Sequence, residues 1–265
     1  LPDVGLEAFH NAFLWSYREA ERLRAESHEE VPAHRRLELF YRRVGADPAA
    51  IPSELTERLL ATHMACLAGV AEPMPGQGEL LDWLGDRFRL GVVSNFDYTP
   101  TVRRILADFG ILGRFETVIV SDEVGWRKPR PDIFRRALAD LGVTAGECLF
   151  VGDRPEIDVA GAKAVGMAAA WLNVERASLP PGLPTPDLDL GGLAVQVGRQ
   201  VAGRGVAEHL VGLVAGQVAE RRAEPRAEPE AGQEATLQRL GREQEAAAVA
   251  DDEVARHVPF AAEGG

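Results

Sequence analysis

Four short apolar runs separated by helical stretches constrain this chain more than anything else in it. They are Leu90-Gly91-Val92-Val93, Thr117-Val118-Ile119-Val120, Cys148-Leu149-Phe150-Val151 and Met167 to Leu172. None alternates apolar with polar residues, so each reads as a strand buried on both faces. Between them lie helical patterns through Val102, Ile105, Leu106 and Phe109, from Pro131 to Leu141, and from Asp158 to Val165. Buried strands joined by helical crossovers predict an α/β fold with a Rossmann-like parallel sheet. Ligands in such sheets sit beyond the carboxyl ends of the strands. Three of the runs end there in polar residues: Ser94-Asn95, Ser121-Asp122-Glu123 and Asp153.

Upstream, from Gly5 to Gly69, apolar residues fall at helical spacing: Phe9, Phe13 and Tyr17; Leu37, Phe40, Tyr41 and Val44; Leu55, Leu59, Met64 and Leu67. This predicts three or four amphipathic helices with breaks at Ser27 to Pro32, Gly45 to Pro52 and Gly69 to Gly78. Ser53, followed by Glu54 and Glu57, has the pattern of an N-cap with first-turn acids. The expected division is a helical unit over 5–77, an α/β core over 78–200, and a tail over 201–265 rich in Ala, Glu and Arg. The tail lacks material for a core and is expected to be disordered or loosely helical.

Composition narrows the function classes. The 265 residues carry a formal charge of −12 with no basic stripe, which argues against a nucleic-acid partner. No run of about 18 apolar residues is present, and no basic-then-apolar leader, so a membrane role is not expected and a cytoplasmic location is. Cys66 and Cys148 are isolated and read as buried small hydrophobes, with no disulfide or zinc pattern. Of 29 basic residues only Lys128 and Lys163 are lysines. A lysine kept in so arginine-rich a chain points to a need for a compact point charge.

Three segments carry candidate chemistry. Ser94 ends the first run in Val92-Val93-Ser94-Asn95-Phe96-Asp97, where its hydroxyl and the amides after it, beginning at Asn95, could donate to a phosphate oxygen; the same pair also serves as ordinary turn chemistry. Lys128 lies in Gly125-Trp126-Arg127-Lys128-Pro129-Arg130-Pro131, a loop stiffened by two prolines, and would project toward the sheet edge or into solvent. Asp153 and Asp158, in Gly152-Asp153-Arg154-Pro155-Glu156-Ile157-Asp158, could face one hard cation, while Asp158 could equally cap the next helix.

In this order the segments resemble the haloacid dehalogenase-like hydrolases: SNFD their second motif, GWRKPRPDIF their third, GDRPEIDVAGAKAVGM their fourth. The resemblance covers roughly Gly5 to Leu193, with the helical unit in the place of an inserted cap domain. It implies that Ser94 and Lys128 bind the transferred phosphoryl group and that Asp153 and Asp158 hold Mg²⁺. It further implies hydrolysis of a small phosphorylated metabolite through an aspartyl-phosphate, with metal and lysine neutralising phosphoryl charge. The paired acids favour the phosphatase branch over 2-haloacid dehalogenases, which need no metal. Neither the substrate nor the oligomeric state is legible.

The family's first motif, an apolar strand ending in Asp-x-Asp-Gly-Thr at the centre of the sheet, is not matched by Leu1 to Gly5. Two other stretches imitate it weakly: Pro186-Asp187-Leu188-Asp189-Leu190-Gly191 and Asp251-Asp252-Glu253. The expectation is that the central strand is missing because the chain, which opens on Leu1 rather than Met, is a piece of a longer protein, and that it does not turn over as it stands. The other arrangement has a tail segment, Glu208 to Ala215, filling the gap. A non-catalytic phosphate-binding protein is the competing functional expectation.

Overall fold

The computed structural model describes residues 4–192 and 209–211. Three helices come first: α1 (Leu6–Ser27), α2 (Ala33–Arg43) and α3 (Ser53–Gly69). Aromatic contacts tie them together, with Phe9 and Phe13 of α1 edge-on to Phe40 of α2 and Phe13 edge-on to His63 of α3. The expected breaks all occur. The expected cap does not: α3 starts at Ser53 with Pro52 before it, and no side chain caps its first turn. On α3 the buried stripe is Leu60, Met64 and Ala68, whereas Leu55 stays exposed.

The α/β part follows as α4 (Gln77–Gly85), β1 (Arg89–Ser94), α5 (Thr99–Asp108), β2 (Thr117–Val120), the single turn α6 (Ser121–Val124), α7 (Pro131–Leu141), β3 (Cys148–Gly152), α8 (Ala160–Ala164), β4 (Ala168–Leu172) and β5 (Leu188–Leu190). A further strand, β6, is His209–Val211. All pairings are parallel, in the order β2-β1-β6-β3-β4-β5. Successive residues of β1, β2, β3 and β4 enter opposite cores. Val92, Val120, Leu149 and Val151 join the cluster that contains Leu37, Phe40 and Leu81, while Val93, Ile119 and Phe150 pack on Ile133, Phe134, Ala137 and Leu141 of α7. Burying Ile133, Phe134 and Leu141 stabilises the α7 face by about 1.5–3 kcal/mol per side chain. This two-sided burial is why the strand sequences do not alternate.

One sequence expectation is corrected here. The position between β1 and β3, expected to be missing, is occupied by β6, which pairs Arg89 through Gly91 on one side and Cys148 through Phe150 on the other. These residues lie within Glu208 to Ala215, the tail segment that the alternative arrangement placed in this gap. A three-residue strand gives too little periodicity to have favoured that arrangement from sequence. The weak imitation of the first motif at Pro186 to Gly191 contains the edge strand β5. Asp187 accepts from Lys163 Nζ at 2.6 and 2.7 Å and from the Ala169 amide, and Asp189 accepts from Asn173. Both acids thus serve the fold at the sheet's far edge. Asp3 and Asp251 to Glu253 lie outside the described residues. No helix among the described residues is long and apolar enough to cross a membrane.

Candidate functional site

The carboxyl ends of β1 and β3 converge on Lys128. The loop bearing it leaves α6 and is fixed from the β1 side by the Asn95 side chain, which receives the Lys128 amide on Oδ1 at 2.7 Å and donates from Nδ2 to the Lys128 carbonyl at 3.0 Å. One amide side chain therefore satisfies both backbone groups of the lysine, as a neighbouring strand would. The bond from Lys128 to Pro129 is cis.

From that fixed backbone the ammonium reaches inward. Nζ donates to the Val93 carbonyl at 3.0 Å and lies 2.8 Å from Asp158 Oδ1. The latter contact is an ion pair lying off the hydrogen-bonding direction, since Oδ1 accepts no well-aligned donor. The Phe150 ring lies beneath, 5.4 Å from Nζ. Asp158 is fully enclosed, and its Oδ2 accepts from the Arg154 amide at 3.0 Å. It sits in a π-turn, Pro155–Val159, that precedes α8, so the helix read from Asp158 begins two residues later.

Two glycines make this packing possible. A Cβ on Gly152 would meet Asp158 at 2.4 Å, and one on Gly161 would meet the Phe134 ring at 2.4 Å and Pro129 at 3.1 Å. The absence of both side chains lets Asp158 fold back over the end of β3 and lets α8 press against the Lys128 loop.

Ser94, Asn95, Lys128 and Asp158 are thus brought together. The buried Ser94 Oγ has no hydrogen-bond partner among the described residues, which leaves an unused hydroxyl donor at the end of β1. Asp153 is half-buried just after β3, and its carbonyl accepts from the Trp171 indole at 2.9 Å. Among the described residues, no group of three or more His, Cys, Asp or Glu is placed to hold a metal by itself.

A second set of polar residues, absent from the sequence reading, lies beside this edge. Asp97 pairs with Arg36 at 2.9 Å and with Arg24 at 3.5 Å. Glu30 pairs with Arg24 at 2.9 Å and with Arg127 at 2.7 Å, and accepts from the Ser121 hydroxyl. The Arg36 guanidinium lies 3.8 Å over the Tyr17 ring, and Tyr17 hydrogen-bonds His63. Burial pushes the Tyr17 phenol up to about 12. Burial, helped by the Arg36 charge, pushes His63 down to about 4. The only sequence signal was an acid, Asp97, placed two residues after Asn95. The charged positions of α1 and α2 carry no other local sign of burial. Cys148 is buried as expected, but Cys66 is exposed: it falls off the buried Leu60, Met64 and Ala68 stripe of α3.

The chain is 34% identical over 166 residues to a glyceraldehyde 3-phosphate phosphatase of Pyrococcus abyssi, a match covering 60% of this chain and 65% of the relative. It is 30% identical over 152 residues to the pyrimidine 5'-nucleotidase YjjG of Escherichia coli, covering 57% and 63%. It therefore spans slightly less than two thirds of the length of these relatives. In fold it is similar to the 2-haloacid dehalogenase of Pseudomonas syringae pv. Tomato, with a TM-score of 0.57 at 22% identity, covering 77% of this chain and 83% of that one. The family profile described as haloacid dehalogenase-like hydrolase matches residues 7–166, and the chain belongs to that family.

Proposed function

We propose that the edge formed by β1 and β3 binds the phosphoryl group of a small phosphomonoester, as in a Mg²⁺-dependent phosphatase. The observation that carries this reading is the ammonium of Lys128, held between the Val93 carbonyl and the Asp158 carboxylate beside the unpartnered Ser94 hydroxyl. A cation fixed between a backbone carbonyl and a buried carboxylate needs little reorganisation when charge arrives, which is the condition for strong electrostatic stabilisation. The phosphatase names of the relatives support the same substrate class.

The donor set fits Mg²⁺, which takes one or two carboxylates and completes its shell with water and substrate oxygens. Asp153 and Asp158 would be those carboxylates, and Asp158 Oδ1, enclosed with only an ion-pair contact, is the orphaned atom that fits a cation. Bound there, the metal would supply Lewis-acid neutralisation of phosphoryl charge. This chain's own residues bind and orient: Ser94 donates to one oxygen, Lys128 neutralises a second, and Asn95 holds the lysine in place. None of these is the carboxylate nucleophile that the resemblance implies. His209, Leu210 and Val211, in the central strand position, include no acid. That observation favours a second reading, a phosphate-binding protein without turnover.

Calorimetry with inorganic phosphate and Mg²⁺ tests the binding reading. The expected result is saturable binding that weakens at least about tenfold in Lys128→Ala. Equal binding by the wild type and Lys128→Ala overturns it. Mg²⁺-dependent hydrolysis of p-nitrophenyl phosphate, above the rate of Lys128→Ala, would reject the reading without turnover.

A further inference from the structure

We propose that Glu30 is a positioning residue for Lys128, through which the placement of the helices α1 and α2 sets the placement of the ammonium. The inference deepens the phosphate-binding reading and rests on it only for its ligand.

Glu30 has no exposed side-chain surface, and its two carboxylate oxygens face different parts of the fold. Oε1 accepts from Arg24 Nε of α1 and from the Val31 amide, both at 2.9 Å, on the helical side. Oε2 accepts from the Ser121 hydroxyl at the end of β2 and from Arg127 at 2.7 Å, on the sheet side. Arg127 immediately precedes Lys128. Backbone contacts run in parallel with the ion pairs. Glu29 bridges Trp126 in antiparallel fashion, with the Glu30 amide donating to the Gly125 carbonyl and the Arg127 amide to the His28 carbonyl, at 2.9 Å each. The Lys128 loop is therefore clamped from two sides, by Asn95 just after β1 and by the segment His28 to Glu30 between α1 and α2. A buried carboxylate shared among charged donors tolerates no loss of a partner, because the remaining charges have no water to replace it. A shift of α1 against the sheet must then pull Arg127 or break the pair, and either moves the next residue.

The chain offers a direct probe, since Lys128 and Lys163 are its only lysines. Protein labelled with ¹³C at lysine Cε gives two ammonium-adjacent signals, and Lys163, paired with Asp187 near the sheet's other edge, is the internal control. Lys128→Arg assigns them. In Glu30→Gln and in the less buried Arg127→Gln, the expected result is a displaced or broadened Lys128 signal, an unchanged Lys163 signal, and about tenfold weaker binding of inorganic phosphate. An undisturbed Lys128 signal in Arg127→Gln with native near-UV circular dichroism overturns the proposal, even if Glu30→Gln fails to fold. If inorganic phosphate leaves the wild-type Lys128 signal unmoved, the phosphate reading fails, while the positioning role is still decided by the variants' spectra.

Discussion

Gly152 and Asp158 occupy space that only a glycine can share: a Cβ at 152 would fall 2.4 Å from the Cβ, Cγ and Oδ2 of the aspartate. Replacing Gly152 with alanine must displace the carboxylate from Lys128 or open the π-turn that presents it. Overpacking of this kind costs about 1–3 kcal/mol. Urea denaturation of Gly152→Ala should show that loss together with weakened phosphate binding, and an unchanged midpoint would refute the close approach.

Asn95 stands in for a strand by pairing with both backbone groups of Lys128. Asn95→Ala removes two bonds in a largely buried place, a loss of about 1–3 kcal/mol. Asn95→Asp keeps the acceptor for the Lys128 amide but sets a second oxygen against its carbonyl. Both variants should lose stability and phosphate affinity, and a variant that loses stability alone would separate the scaffold from the site.

Asp97 is the shared counter-charge of Arg24 and Arg36. Removing one partner of a buried ion pair costs about 3–5 kcal/mol, so Asp97→Ala should unfold at a markedly lower denaturant concentration. Replacing Asp97 and Arg36 together with apolar residues should recover part of the loss. A double variant no better than Asp97→Ala would argue against the pair.

His63 gives a pH signature. Burial and the Arg36 charge lower it from 6.5 to about 4 in the folded protein, although nearby Asp97 acts in the opposite sense. Between these values the unfolded chain binds the proton first, so stability is fully present above about pH 6.5 and falls as pH drops toward 4. With allowance for the ring's partial exposure, the loss is roughly 1–3 kcal/mol. His63→Gln should flatten that part of the stability profile relative to wild type. Identical slopes for both proteins would show that His63 is not the group responsible.

The two thiols should differ sharply. Cys66 is exposed, whereas burial pushes the Cys148 thiol up to about 11 within β3. A thiol reagent at neutral pH should modify Cys66 in the native protein and reach Cys148 only on unfolding. Rapid modification of both would mean that β3 opens readily.

The sheet and the polar ends of its strands were legible because their signals are local. Unalternating apolar runs ended in polar residues, and two prolines follow the lysine in its loop. Lys128, Asn95, Ser94 and Asp158, which the structure brings together, each stand out from a few residues of context. The Glu30 and Asp97 networks could not. Arg24, Glu30 and Arg36 sit where charge normally means solvent, and their burial comes from packing α1 and α2 against residues far along the chain. Cys66 was misread for the converse reason, since a small apolar residue on α3 does not say which stripe faces inward. The helix start at Asp158 was placed early because a π-turn has no distinctive sequence pattern.

The order β2-β1-β6-β3 also dictates a sequence of events during synthesis. The β1 and β3 strands are made early, but among the described residues the strand that joins them is the last to emerge. Until His209 can pair with both Arg89 and Cys148, the edges of β1 and β3 that face this position lack their backbone hydrogen-bonding partners. Contacts so distant along the chain are slow to form. The strand that joins the Ser94 and Asp158 halves of the sheet is thus also the one that closes two edges which, left unpaired, would be templates for association with other chains.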